Sequence, residues 1–173
     1  DTMFTDMHHL FGTDGYTNGR HDNNPYGEVD PSMVEWESPA GARVGTSGFS
    51  GYTGKVFEPI DEYKGDFARA MFYMVTRYEH LVGGGMTGFQ GNANADEVLD
   101  GTTWPALDEW AIKQWYKWHI QDPVSQKEID RNNAIYNFQN NRNPFIDHPE
   151  FVALIWQCNG LLPVTLLNFT ATN

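Results

Sequence analysis

Between Thr5 and Arg20 the chain reads Thr-Asp-Met-His-His-Leu-Phe-Gly-Thr-Asp-Gly-Tyr-Thr-Asn-Gly-Arg, and several of these side chains can do chemistry. His8 and His9 are adjacent. On an extended segment they point to opposite faces, so one turns inward towards a site while the other faces packing or solvent. Nine residues after His9 comes Asn18, a neutral oxygen donor able to hold a hard cation such as Mg²⁺. An imidazole beside such a cation is equipped to activate water against a phosphodiester, with the metal stabilising the charge that develops on phosphate. The same residues also read as hydrogen-bonded packing histidines followed by an Asn-Gly turn, and spacing alone does not decide between the two.

The elements that must position these groups follow from periodicity. The first 60 residues are dense in Gly, Asn, Asp and Pro with only short apolar runs, Met7 to Phe11 and Lys55 to Ile60, which predicts short strands, turns and long loops. Beyond Asp66, taken as an N-cap, Phe67, Ala70, Met71, Met74, Tyr78 and Leu81 draw one apolar helix face, ending at Gly83-Gly84-Gly85. A polar loop is expected from there to about Thr103. A second helix is expected from about Pro105 to Gln121. Its Trp110, Trp115, Tyr116 and Trp118 could form a base-stacking platform, but their helical spacing favours core. Ser125-Gln126-Lys127-Glu128 spells a capping box for a third helix that ends at Asn140-Asn141-Arg142-Asn143-Pro144. Asp147 and Glu150, at the same spacing, predict a fourth that buries Phe151, Leu154 and Ile155 and closes at Gly160 and Pro163. The whole reads as an α+β domain with a loop-rich front backed by several helices. Residues 1–160 form that domain. Residues 161–173 alternate apolar and polar side chains, as a linker or the start of a following β-rich module would.

A chain of 173 residues fits one domain with a sizeable core, and 40% apolar residues, 14% of the chain aromatic, is too hydrophobic for disorder. No stretch is long and apolar enough for a membrane span. The formal charge of −12 argues against simple polyanion binding, which draws on a Lys/Arg surface, although the 11 Lys and Arg residues suffice for one local cationic track. Arg69, Arg77, Arg131 and Arg142 are the candidates for that track. A single cysteine, Cys158, excludes an internal disulfide and thiolate zinc clusters. The chain opens on Asp1-Thr2 without a signal peptide, so an upstream segment is expected to have been removed.

Four separated blocks resemble the endonuclease I family of bacterial secreted and periplasmic nucleases. They are Asp6-Met7-His8-His9-Leu10 with Gly15-Tyr16-Thr17-Asn18-Gly19-Arg20; Lys64 to Met74; Asp130-Arg131-Asn132-Asn133; and Gln139 to Phe145. The resemblance implies a ββα-metal core, incomplete here at its N-terminus, with His8 and His9 on its second strand. It implies Asn18 as the ligand of one Mg²⁺, Ca²⁺ or Mn²⁺ ion. His9 and His8 are the catalytic candidates, and Arg20, Arg142 and Arg69 the phosphate-binding ones. The family's general base lies in a Glu-His motif upstream of Asp6. Glu79-His80 spells the same dipeptide at a helix end and is read as coincidence. His21 stands where relatives commonly carry Arg, with Arg20 beside it to compensate.

The implied activity is metal-dependent hydrolysis of DNA phosphodiesters, and in much of the family of RNA as well, without sequence specificity, because contacts fall on the backbone rather than on base edges. Without the Glu-His motif, residues 1–173 alone are expected to have very low activity. The implied location is secreted or periplasmic. Nucleic acid is the expected partner; no membrane or protein partner is indicated. The rival reading is a catalytically degenerate nuclease-fold binding module of a secreted multidomain protein, favoured by the acidic balance and the missing base. A carbohydrate-active enzyme ranks last, since no specific carboxylate pair stands out.

Overall fold

The turn-forming composition of the front third and the helical periodicity behind it resolve into separate elements in a computed structural model, which describes residues 3–82 and 97–156. A 3-10 turn spans Met7–His9 and is followed by α1, Gly15–His21. The strands are β1 (Val29–Glu37), β2 (Arg43–Ser47) and β3 (Lys55–Glu58). Then come α2 (Asp61–Arg77), α3 (Glu79–Val82), α4 (Glu109–Gln121), α5 (Gln126–Gln139), α6 (Pro144–Asp147) and α7 (Phe151–Ile155). The architecture is α+β, as expected. None of the helices among the described residues is long and apolar enough to cross a membrane.

The three strands form one antiparallel sheet in the order β1-β2-β3. The β1–β2 register shifts twice, between Val29 and Val34 and again before Trp36, so β1 bulges towards β2. Gly45 is what β2 offers at that bulge, because a Cβ there would lie 2.3 Å from the Met33 carbonyl oxygen. The sheet packs on α4, with Val29 and Val56 joining a core that holds Phe72, Trp110, Trp115, Trp118, Phe145, Val152 and Trp156. Trp115 and Trp118 are fully buried, in keeping with the core reading of that aromatic helix. Phe72 of α2 meets Trp115 at 6.2 Å and Trp156 at 4.5 Å between ring centroids, joining α2, α4 and the end of α7.

Three helix starts differ from the sequence expectation. Helix α2 begins at Asp61 rather than after Asp66, with Ile60 as an N-cap that makes no side-chain bond. Asp61 and Glu62 in the first turn complement the positive end of the helix dipole, a start signal that the polar composition of 61–66 hides from apolar periodicity. Asp66 is therefore an interior, buried helix residue. Helix α4 begins at Glu109, not Pro105. The backbone of the preceding segment is used instead in a bridge between Leu99 and Leu107, with Asp100 N–H donating to the Ala106 carbonyl and Asp108 N–H to the Val98 carbonyl.

The expected fourth helix is split, with α6 capped by Asn143 and opened by Pro144. Asp147 is taken by Arg142 and Asn132, and Glu150 makes no side-chain cap bond, so no capping box forms there. Helix α7 buries Val152, and Trp156 at its C-cap, while Leu154 stays 64% exposed and Phe151 37% exposed. By contrast the Ser125–Glu128 capping box on α5 is present in both directions, and Asn140 ends that helix with a left-handed φ of 56°. The expected stop at Gly83-Gly84-Gly85, Cys158, and the proposed 161–173 module lie outside the described residues.

Candidate functional site

Asp14 starts the short helix that carries Asn18. Its Oδ1 accepts from the backbone N–H groups of Tyr16 at 3.0 Å and Thr17 at 2.9 Å. The far end of α1 is fastened by His21, whose ring stacks on Tyr26 (4.8 Å, 15°) and meets the edge of Phe57 at 4.8 Å. Its Nε2 lies 3.0 Å from the Asn24 carbonyl. Asn18, between these two anchors, is exposed, and among the described residues its side-chain amide makes no hydrogen bond.

Asn18 opens onto a cleft of about 390 Å³. Its lining includes the polar His9, Asp14, Thr17, Asn18 and His21 and the largely apolar Phe57, Ile60, Tyr63 and Phe67. None of the described lining side chains is Lys or Arg. His9 brings a buried Nδ1 with no hydrogen-bond partner. Burial pushes its pKa below the usual imidazole value, against the Asp6 carboxylate and an Asp6 backbone contact that favour the proton. His21 is lowered in the same way, chiefly by burial, opposed by the Asn24 carbonyl and Asp22. Both rings are therefore neutral near pH 7 and able to accept a hydrogen bond.

His8 and His9 do diverge, but through a 3-10 turn rather than an extended strand, because the Asp6 carboxylate caps that turn by accepting from His8 N–H at 2.9 Å. His8 is 1% exposed, its ring centroid 4.7 Å from that of Tyr73 and its Nε2 3.3 Å from the Asn141 carbonyl. It is not among the residues that line the cleft, whereas His9 is. Glu79 and His80 are exposed on α3 and also lie away from it.

The basic residues do not assemble into one track. Arg69 is fully buried; its Nε and Nη2 bind the two Glu128 carboxylate oxygens at 2.6 and 2.7 Å, and its Nη1 donates to the Asp122 carbonyl at 2.8 Å. Its guanidinium is thus turned to protein partners, with none of the residue exposed. Arg142 binds Asp147 through two nitrogens at 2.7 Å each and Asn133 at 2.9 Å. Arg131 is turned onto backbone carbonyls of the Met7–Leu10 segment. Arg20 is exposed on α1, its Nη2 donating to the Tyr16 hydroxyl at 2.9 Å.

Among the described residues no group of three or more His, Cys, Asp or Glu side chains gathers around one point. The lining residues that carry donor atoms are instead mixed: Asn18 with its amide, Asp14 with its carboxylate, and His9. That set fits a hard ion held by one or two oxygens and otherwise by water, as Mg²⁺ commonly is. The apolar part of the lining escaped sequence reasoning, although Phe67 and Ile60 lay in apolar runs; only the hairpin and α2 together turn them towards α1.

A family model described as Endonuclease I matches residues 1–150. The chain is 38% identical over 153 residues to an extracellular ribonuclease of Bacillus amyloliquefaciens and 36% identical over 153 residues to an extracellular ribonuclease of Bacillus subtilis strain 168. Each alignment covers 88% of this chain and 46% of the relative, so the chain spans about half the length of the curated relatives it matches. No solved structure matches it.

Proposed function

Because the chain belongs to the endonuclease I family, we propose that it hydrolyses phosphodiester bonds of RNA and DNA outside the cytoplasm with the help of one divalent cation, Mg²⁺ or a close substitute. The observation that carries this reading is the cleft that the unbonded Asn18 amide and the His9 ring both line.

Asn18 would hold the ion through its amide oxygen, with Asp14 in the same lining. When bound, the ion supplies charge stabilisation at the phosphoryl oxygens. His9, kept neutral by burial, accepts a hydrogen bond from the attacking water and so fixes its direction. Arg20, exposed on the same helix, is the phosphate contact. The family resemblance implies that the water's proton passes to the histidine of a Glu-His motif upstream of Asp6, so cleavage is expected of a polypeptide that carries that motif. Extracellular ribonuclease relatives support RNA as a substrate, and recognition through the backbone supports DNA as well.

Plasmid DNA and a long RNA, incubated with Mg²⁺ and a polypeptide carrying that motif, test this. Cleavage should appear with the metal, stop with EDTA, and fall at least about a hundredfold in Asn18→Ala. Cleavage that ignores both EDTA and Asn18→Ala would sink the proposal. The second reading, a degenerate binding module, is favoured by the absence of Lys and Arg among the described residues of the cleft lining and by the −12 charge. It predicts ligand binding indifferent to EDTA and no cleavage.

A further inference from the structure

The segment that delivers His9 to the cleft has little structure of its own. It is a single 3-10 turn flanked by exposed side chains, with Phe4 80% and Leu10 51% exposed. What holds it comes from the helices behind. Arg131 and Gln139 are eight residues apart on α5, with Ile135 between them, so the three share one helix face. That face meets the turn.

Arg131 Nη2 donates to the Met7 carbonyl at 2.5 Å and the Leu10 carbonyl at 2.8 Å, and Nη1 reaches the His8 carbonyl at 3.5 Å. The guanidinium carbon sits 4.7 Å from the centroid of Phe11, whose ring in turn packs 4.4 Å from Phe67 of α2. Gln139 uses both ends of its amide. Its Oε1 accepts from Met7 N–H at 3.1 Å, and its Nε2 donates to Asp6 Oδ1 at 2.9 Å. The other Asp6 oxygen accepts from the Tyr73 hydroxyl at 2.6 Å and the Tyr78 hydroxyl at 2.8 Å.

Residues 6 to 10 are thus clasped from α5 on one side and from α2 and its C-cap on the other. The carbonyls that His9's neighbours present are occupied, which fixes the backbone on both sides of its Cα. Arg131's fork is spent on these carbonyls and on Phe11, so it has no geometry left for bidentate phosphate binding.

We infer that Arg131, Gln139 and Asp6 are positioning residues that hold the His9 imidazole in the cleft beside Asn18, rather than contacts to substrate. This rests on the reading of the cleft as a phosphodiesterase site. The geometric part, that the clasp fixes His9, stands apart from activity and can be read separately. A lysine at 131 would keep the charge but not the fork that spans three carbonyls, which separates positioning from simple electrostatics.

The test uses the full-length polypeptide with Arg131→Met, Arg131→Lys and Asp6→Asn. Two readouts are followed, Mg²⁺-dependent cleavage of a fluorescent RNA and the ¹H–¹³C ring cross-peak of His9, assigned through His9→Ala. All three variants should move the His9 cross-peak towards that of a solvated ring. They should also lower kcat by about tenfold to a hundredfold with KM held within about twofold. Arg131→Lys restoring wild-type kcat, or KM rising with kcat unchanged, overturns the inference. A His9 cross-peak unmoved in Arg131→Met and Arg131→Lys overturns it whatever cleavage does. If the unaltered polypeptide does not cleave, the nuclease reading fails; the cross-peak then decides the clasp alone, with movement upholding it and no movement overturning it. Should Arg131→Met fail to fold, Arg131→Lys and Asp6→Asn carry the same two readouts.

Discussion

Replacing Arg69 by methionine separates a structural joint from a nucleic-acid contact. The guanidinium makes two bonds to Glu128, at 2.6 and 2.7 Å, and one to the Asp122 carbonyl at 2.8 Å, with Arg69 0% and Glu128 3% exposed. Methionine retains the aliphatic stem but leaves Glu128 buried without its counter-ion. Stranding one half of a buried pair costs about 3–5 kcal/mol. The orphaned Asp122 acceptor costs about 1–3 kcal/mol, and since the two overlap a loss of about 4 kcal/mol is expected. Domains are stable by only about 5–15 kcal/mol, so the variant should unfold at much lower urea. Tryptophan fluorescence reports this directly, since Trp115 and Trp118 lie in the core. Pairing Arg69→Met with Glu128→Gln removes both charges, keeps an amide able to serve the Ser125 cap, and should recover at least about half of the loss. A single variant losing less than about 1 kcal/mol, or a double variant as unstable as the single, would refute the reasoning. Weakened nucleic-acid affinity with stability intact would restore the phosphate-contact reading.

Asp66 gives a pH-dependent counterpart. Burial, with Glu128 nearby, outweighs Lys127 and Arg69 and raises its pKa to about 6. The folded protein then keeps a proton that the unfolded chain has released, so this group's contribution to stability falls as pH rises from about 4 to about 6 and is level above. Asp66→Asn should therefore gain on the unaltered protein across that window, by on the order of 2–3 kcal/mol. Urea midpoints at pH 4 and pH 7.5 check this, and a difference that does not change with pH contradicts it. At Gly65 a Cβ would lie 2.0 Å from the Asp122 carbonyl oxygen. Gly65→Ala should destabilise by about 1–3 kcal/mol despite alanine's better helix propensity. A higher urea midpoint for that variant would show that α2 and the end of α4 can move apart.

What the sequence made legible was local. The Ser125 capping box, the end of its helix at Asn140 and the aromatic face of α4 were all readable because each depends on residues within a turn or two of itself. The short helix bearing Asn18 was implied only by the family resemblance, since the composition there reads as turn and loop. What escaped depends on partners far along the chain. Arg69 looked like a surface cation because nothing near it in sequence announces Glu128, 59 residues later, as the carboxylate that buries it. Asp66 looked like an N-cap because its burial against Arg69 and Lys127 is tertiary. His8 and His9 look equivalent in sequence, and only the Asp6 cap and the α5 face send one into the core and the other into the cleft. The Glu79-His80 dipeptide shows the reverse case, a matching pair of letters with no matching place.

The lining of the cleft bears on the setting in which such a protein can work. Affinity for a polyanion drops with added electrolyte in proportion to the number of phosphates neutralised by Lys and Arg, because each such contact releases condensed counterions. A lining without any such side chain releases few of them. On the proposed reading, grip on the polymer would rest on one cation, on Arg20 and on shape, and with a single such arginine it would loosen little between dilute buffer and brine.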